Sequence, residues 1–205
     1  GRRALSRAAR LVDPAGRWLQ ERLGCTIADP GLLARALTHR SAGPDNNERL
    51  EYLGDAVLSF VIAEMLLHQF PGASEGELSR YRASLVSGEA LAVLAAEIGL
   101  GDQLRLGDGE LKSGGQRRAT ILADGLEAVF GAIYLDRGLE AARAVADRLF
   151  RQLLATLPEA SELKDPKTRL QEWLQGRGFA LPAYTVLEVS GEPHEQRFRV
   201  RCDVP

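Results

Sequence analysis

Three carboxylates, Glu48, Glu51 and Asp55, fall at i, i+3 and i+7. On a helix advancing 100° per residue this spacing confines them to an arc of about 60°, with Leu50, Leu53, Val57 and Val61 on the opposite side. First-turn acids complement a helix dipole, which is one reading of Glu48 and Glu51; a functional acidic edge is the other. Asp55 is harder to explain, because it lies beyond the first turns and no Lys or Arg stands four residues from Glu51 to relieve the repulsion. A second pair, Asp124 and Glu127, interrupts the apolar run over residues 121–135. A helix this apolar is buried on most of its circumference, and an unpaired buried carboxylate costs several kcal/mol, so these acids need a cation or a proton. Thr120, Ala128 and Gly131 on the same face allow close approach by another helix or a ligand. Arginines from another helix are one way to satisfy the pair; a bound metal ion is the other.

If the two acidic edges face each other, four or five carboxylates converge with no histidine or cysteine among them. All-oxygen ligation selects Mg²⁺ or Mn²⁺ over zinc or copper. A di-iron bundle needs Glu-x-x-His, whereas Glu51 follows Glu48 and Phe130 follows Glu127 at that spacing. His39, His68 and His194 are scattered and read as surface or hydrogen-bonded residues. The chemistry such a site supports is hydrolysis or transfer of phosphate, where metal ions neutralise the phosphodiester and activate a water.

Helices must position these groups. Asp29 followed by Pro30 is a cap with proline in the first turn, opening a helix toward residue 39. A loop over residues 43–47 precedes a long helix from about 48 to 70, which Pro71-Gly72 stops. Ser74 and Glu77 form a capping-box signature for the next helix, toward residue 86, and another spans 89–98. Residues 101–115 are glycine-rich and polar and read as a loop carrying Lys112. Helical periodicity resumes over 121–135 and 139–157. Residues 158–164 read as a linker. Asp165-Pro166 then caps a short helix to about 176, and two period-2 segments, 184–189 and 197–204, are joined by Ser190-Gly-Glu-Pro193. The expected organisation is an all-helical domain over 1–157, a linker, and an α+β module from 165.

With 205 residues, 45% of them hydrophobic, the chain can bury a sizeable core, which excludes collagen-like and wholly disordered classes. A net charge of −2 gives no global pull toward nucleic acid, so any such function must come from local patches. Cys25 and Cys202 allow at most one bridge and read by default as buried thiols, which fits a reducing compartment. No uninterrupted apolar run reaches membrane-spanning length; Glu64, for example, breaks residues 61–67. Arg2, Arg3, Arg7 and Arg10 precede the first acid, Asp13, and read either as a targeting segment or, preferably, as a helical leader. The absence of an initiator Met places the expected natural start upstream.

The run Asn47-Glu-Arg-Leu-Glu-Tyr-Leu-Gly-Asp-Ala-Val-Leu58 resembles the signature of the ribonuclease III family. Thr38-His-Arg-Ser41, Gly109-Glu-Leu-Lys-Ser-Gly-Gly115 and Ile121-Leu-Ala-Asp-Gly-Leu-Glu-Ala128 occur in that family's order and spacing. The resemblance covers nearly the whole chain and is to the bacterial form, with one nuclease domain and a C-terminal double-stranded-RNA-binding domain. It implies an all-α endonuclease domain and a cytoplasmic homodimer that cuts both strands of an RNA duplex, one site per subunit. The products would carry 5′-phosphate and 3′-hydroxyl ends with short 3′ overhangs, and the substrates would be ribosomal-RNA precursors and some messengers. Carried over by position, Glu51, Asp124 and Glu127 would be Mg²⁺ ligands, with Mn²⁺ as a possible substitute. Asp55 and Glu127 would be most directly tied to cleavage, and Glu48 and Glu75 would be supporting acids. Glu75 also reads as a first-turn acid after the Ser74 cap. Two cuts on opposite strands need two symmetry-related sites, which an isologous interface supplies. The apolar surplus of the signature helix, Tyr52, Leu58, Phe60 and Ile62, is divided in this reading between the partner and the core.

In the C-terminal module, Leu170, Trp173 and Leu174 form an apolar stripe, while Thr168, Gln171, Glu172 and Gln175 line another. The polar stripe suits hydrogen bonding to 2′-hydroxyls in the shallow minor groove of duplex RNA. Arg197, Arg199 and Arg201 alternate with Phe198, Val200 and Cys202, placing one face toward solvent and the other toward a core. The resemblance to the RNA-binding domain stops at Pro205, ahead of a third strand and a lysine-rich second helix. Residues 161–205 accordingly carry seven basic and seven acidic side chains. In the nuclease domain Lys112, Arg117 and Arg118 are candidate RNA-backbone contacts. The rival reading is a non-cleaving RNA-binding scaffold on the same fold, which is expected to have lost at least one of the acids; all are present.

Overall fold

The computed structural model describes residues 14–205 apart from Ser161, Lys164, Pro193, His194 and Pro205; the arginine-rich leader lies outside the described residues. The chain divides into two compact units, Gly1–Pro158 and Glu159–Pro205.

The first unit is helical. Helix α1 (Pro14–Leu23) is followed by α2 (Pro30–Ala36), whose Asp29 cap accepts hydrogen bonds from the Gly31 and Leu32 amides. Sequence periodicity had not marked α1. Its stripe of Trp18, Leu19 and Leu23 is buried, and the Trp18 indole donates to the Ile98 carbonyl at 2.7 Å. The signature helix α3 (Glu48–Gln69) precedes α4 (Glu75–Leu85), where both halves of the Ser74/Glu77 capping box are formed. Helix α5 (Gly88–Glu97) leads into the glycine-rich segment, which is not simply a loop. It contains a five-residue helix α6 (Asp108–Lys112) between short 3₁₀ turns at Leu100–Asp102 and Gly115–Arg117. Tertiary contacts hold it. The Ser41 hydroxyl accepts from the Gly107 amide at 2.9 Å, and Glu110 pairs with Arg118.

Helix α7 (Ala119–Arg137) is the centre of the unit, packing against α2, α3, α5 and α8 (Leu139–Ala155). Being apolar on most sides, it must be surrounded, and Leu126 and Val129 through Ile133 are fully enclosed or nearly so. Burying the large ones among them, Leu126, Val129, Phe130 and Ile133, contributes about 1.5–3 kcal/mol each. At the α3–α7 crossing the two helices approach to backbone contact. A Cβ on Gly54 would lie 1.7 Å from the Glu127 carbonyl oxygen, and one on Gly131 would lie 2.2 Å from that of Leu50. Backbone meets backbone there because both positions lack a side chain.

The second unit holds α9 (Pro166–Gln175), capped by Asp165, and an antiparallel hairpin of β1 (Ala183–Ser190) and β2 (Arg197–Asp203). Leu174 is buried, while Trp173 is exposed with the Arg177 guanidinium over its ring. A bulge after Val186 moves the register, so Val186 faces Val200 but Glu188 faces Arg199 and pairs with it at 3.3 Å. The expectation that Phe198, Val200 and Cys202 enter a core is not met. All three are exposed, because among the described residues the hairpin has no second layer over that face. Cys202 is therefore not the buried thiol expected; Cys25 is buried, and both are free.

Candidate active site

The glycine crossing decides which side chains meet. It brings the N-terminal half of α3 against the N-terminal half of α7, and Glu51, Asp124 and Glu127 each offer a carboxylate oxygen within 4.8 Å of the others. All three are half-buried, and none forms an ion pair among the described residues. The arginine-paired alternative is thereby excluded for them.

Crowding of like charges away from water shows in their acidities. Burial, then the charges of Asp55, Asp124 and Glu51, push the Glu127 carboxyl up to about 7. Burial also raises Glu51, with Asp124, Glu48 and Asp55 adding repulsion against the nearby Arg40. Asp124 is raised by burial, although His39 and Arg40 favour its ionised form. A site whose acids resist ionisation without a counter-charge has the donor set of a hard divalent cation.

Glu51 and Asp124 border a cleft of about 580 Å³. Its opposite wall is built from His39, Arg40 and Ser41, from Glu110 and Arg118, and from Asn47 at the start of α3. Backbone bonds fix this wall: His39 donates to Arg105, Arg105 to Leu37, and Asn47 to Thr38. The His39 Nδ1 and the Ser41 hydroxyl share a 2.8 Å hydrogen bond. Arg118 is held by Glu110 and by the Ser113 hydroxyl at 3.3 Å.

The other sequence-selected residues are placed less centrally. Asp55, one turn beyond Glu51, is exposed and accepts a long 3.5 Å bond from Ser59. Glu48 lies on the cleft rim, 3.7 Å from Arg40. Glu75 is not brought to the cleft; it accepts from Ser79 at 2.8 Å and borders a separate hollow with Phe60, Glu64 and Leu67. Arg118 lines the cleft, whereas Lys112 at the end of α6 and Arg117 in the 3₁₀ turn after it are exposed and do not line it. Thr168, Glu172 and Gln175 are on the exposed side of α9, with Gln171 half-buried. Sequence reasoning assigned no role to His39, Arg40, Asn47 or Glu110. The Thr38–Ser41 motif was the available signal for the first two.

The Ribonuclease-III-like family model matches residues 29–153, and the double-stranded RNA binding motif matches 166–205. The chain belongs to the ribonuclease III family. It is 59% identical over 186 residues to ribonuclease 3 of Nitrosococcus oceani, covering 90% of this chain and 80% of that one. The ribonuclease 3 of Methylococcus capsulatus is 57% identical over 187 residues, with 91% and 81% covered. Among solved structures, a nuclease domain of ribonuclease III from Campylobacter jejuni aligns with a TM-score of 0.64 at 43% identity, covering 66% of this chain and 95% of its own. Dicer from Pichia stipitis aligns at 0.50 and 28% identity, covering 88% and 82%. The chain is thus a ribonuclease III endoribonuclease with an RNA-binding motif behind its nuclease domain. None of its described helices is long and apolar enough to cross a membrane.

Proposed function

We propose that the acidic cleft is a Mg²⁺-dependent site, with Mn²⁺ as substitute, that hydrolyses both strands of double-stranded RNA. The observation that carries this reading is the convergence of Glu51, Asp124 and Glu127 within 4.8 Å without a basic partner. When bound, a divalent cation supplies neutralisation of the phosphodiester and a lowered pKa for water. Glu51, Asp124 and Glu127 would hold it. Asp55 and Glu127 are the groups tied most directly to cleavage. Glu48 orients Arg40 at the rim, and Glu75, outside the cleft, is assigned no step there.

The products of this reading are 5′-phosphate and 3′-hydroxyl ends with short 3′ overhangs, cut in the cytoplasm from ribosomal-RNA precursors and some messengers. Residues 1–157 serve as the nuclease domain, 158–164 as linker and 165–205 as the RNA-binding part. Lys112, Arg117 and Arg118 contact the RNA backbone, and Thr168, Gln171, Glu172 and Gln175 the minor groove. The enzyme works as a homodimer. Supporting this, Tyr52 is 83% exposed beside a groove of about 1060 Å³ that also involves Leu53 and Leu135. The nuclease domain of the Campylobacter jejuni protein has a structurally flexible region involved in dimer formation.

The deciding experiment is Glu127→Gln. Cleavage of a labelled RNA duplex in Mg²⁺ is expected to be abolished while binding in Ca²⁺ persists; undiminished cutting removes the assignment.

A further inference from the structure

Two adjacent asparagines open helix α3, and they behave differently. Asn46 does the capping: its Oδ1 accepts from the Glu48 amide at 3.1 Å, and its Nδ2 donates to the Gly43 carbonyl at 3.3 Å. Asn47 occupies the N-cap position itself, but its backbone is already helical, with φ −85° and ψ −12°, and its side chain caps nothing. A side chain caps from the extended region, so this conformation turns the carboxamide away from the helix amides. Its main chain is fully used, donating to Thr38 at 2.8 Å and accepting from Leu50 and Glu51 at 2.9 Å each.

The Asn47 side chain is consequently anomalous. The residue is only 2% exposed, the one buried polar residue among those described, and its amide has no hydrogen-bond partner among them. It lines the cleft that Glu51 and Asp124 border. The carboxamide is not sealed from water, since the fully buried side-chain polar atom without a partner among the described residues is Gln116 Oε1, but a nearly enclosed amide with no protein partner still calls for an explanation. The cleft supplies one, as the space from which a partner can arrive.

The carboxamide also limits what that partner can be. It presents a donor and an acceptor together. A phosphate oxygen satisfies the donor alone and sets negative charge against the carbonyl; Arg40 and Arg118, on the same wall, suit phosphate better. A hydroxylic oxygen, which both donates and accepts, satisfies both halves. We infer that Asn47 is a ligand-binding residue of the cleft, hydrogen-bonding a hydroxylic oxygen: either a ribose 2′-hydroxyl of the RNA or a water retained beside the carboxylates. This rests on the cleft being the cleavage site, and it adds to that reading a residue that positions substrate without touching the cation.

The test is Asn47→Leu, which keeps the approximate shape and removes both polar atoms. Three measurements on the full chain separate the possibilities: the thermal midpoint without divalent ions, the rise in midpoint on adding Mn²⁺ without RNA, and kcat/KM on an all-ribose duplex and on duplexes carrying single 2′-deoxy substitutions around the cut. Expected are a metal-free midpoint at or above wild type and a fall in kcat/KM of about tenfold on all-ribose RNA. If the partner is a ribose, the Mn²⁺ response is retained and a 2′-deoxy position that slows the wild type no longer slows the variant. If it is the water, the Mn²⁺ response shrinks. A midpoint several degrees below wild type would mean that the protein itself satisfies the amide, and the inference fails. It fails equally if Mn²⁺ response, 2′-deoxy sensitivity and kcat/KM all match wild type. Should the wild type itself show neither a Mn²⁺ response nor cleavage, the reading of the cleft is at fault rather than that of Asn47.

Discussion

The Glu127 carboxyl concentrates the electrostatic tension of the site. It ionises near 7 in the folded chain against an ordinary value of 4.5. Between those values the folded protein retains a proton that the unfolded chain has released, so this group's contribution to stability is fully present below about 4.5 and is lost as pH rises through 7. Other acids titrate as well, but the difference between wild type and Glu127→Gln isolates this one. Without divalent ions the variant is expected to melt higher than wild type at pH 8 by about 2–4 °C, the response to ~1 kcal/mol in a chain of this size, since partial solvation screens the repulsion. The difference should vanish near pH 4.5, where both side chains are neutral. Mn²⁺ should then stabilise the wild type far more than the variant. Melting curves at the two pH values, with and without Mn²⁺, check each part; a wild-type midpoint equal to that of the variant at pH 8 contradicts the buried-repulsion account.

At the scale of elements, the site depends on how closely α3 and α7 approach. Gly54→Ala places a methyl group 1.7 Å from the Glu127 carbonyl oxygen, an overlap that only helix separation relieves. We expect a loss of about 3 kcal/mol, or roughly 6–12 °C in midpoint, together with weakened Mn²⁺ binding. Calorimetry and a Mn²⁺ titration test this, and an alanine variant that binds Mn²⁺ normally shows the crossing to be dispensable. Local signals in the sequence located most of the elements, because caps such as Asp29 and Ser74 act within a few residues of themselves. They also revealed that Glu51, Asp55, Asp124 and Glu127 needed a counter-charge. What they could not reveal was distance: helical spacing places two carboxylates on one edge, but only the paired glycines bring two edges together. Helix α6 escaped notice because Ser41, remote in sequence, holds its start through the Gly107 amide. Asn47 escaped because two neighbouring asparagines look like interchangeable caps until their backbone angles are known.

For the whole molecule, the divided fate of the α3 apolar residues is informative. Leu58 and Ile62 are fully enclosed by their own subunit, leaving Tyr52 and Phe60 exposed. If the proposed dimer forms through this face, Tyr52→Asp is expected to leave helix content unchanged while giving a monomer at micromolar concentration where the wild type is a dimer, which sedimentation velocity would reveal. Retention of the dimer would place the interface elsewhere. The Gly54–Gly131 crossing has a wider implication. The contact that closes the hydrophobic interior is also the one that gathers the acids, so structural integrity and chemical competence stand or fall together. A newly made chain in which those two backbones do not meet presents itself to proteases as misfolded, rather than persisting as a sound but inert occupant of RNA. Cellular surveillance that inspects only foldedness thereby also inspects the backbone approach that assembles the site, though not the carboxylates themselves.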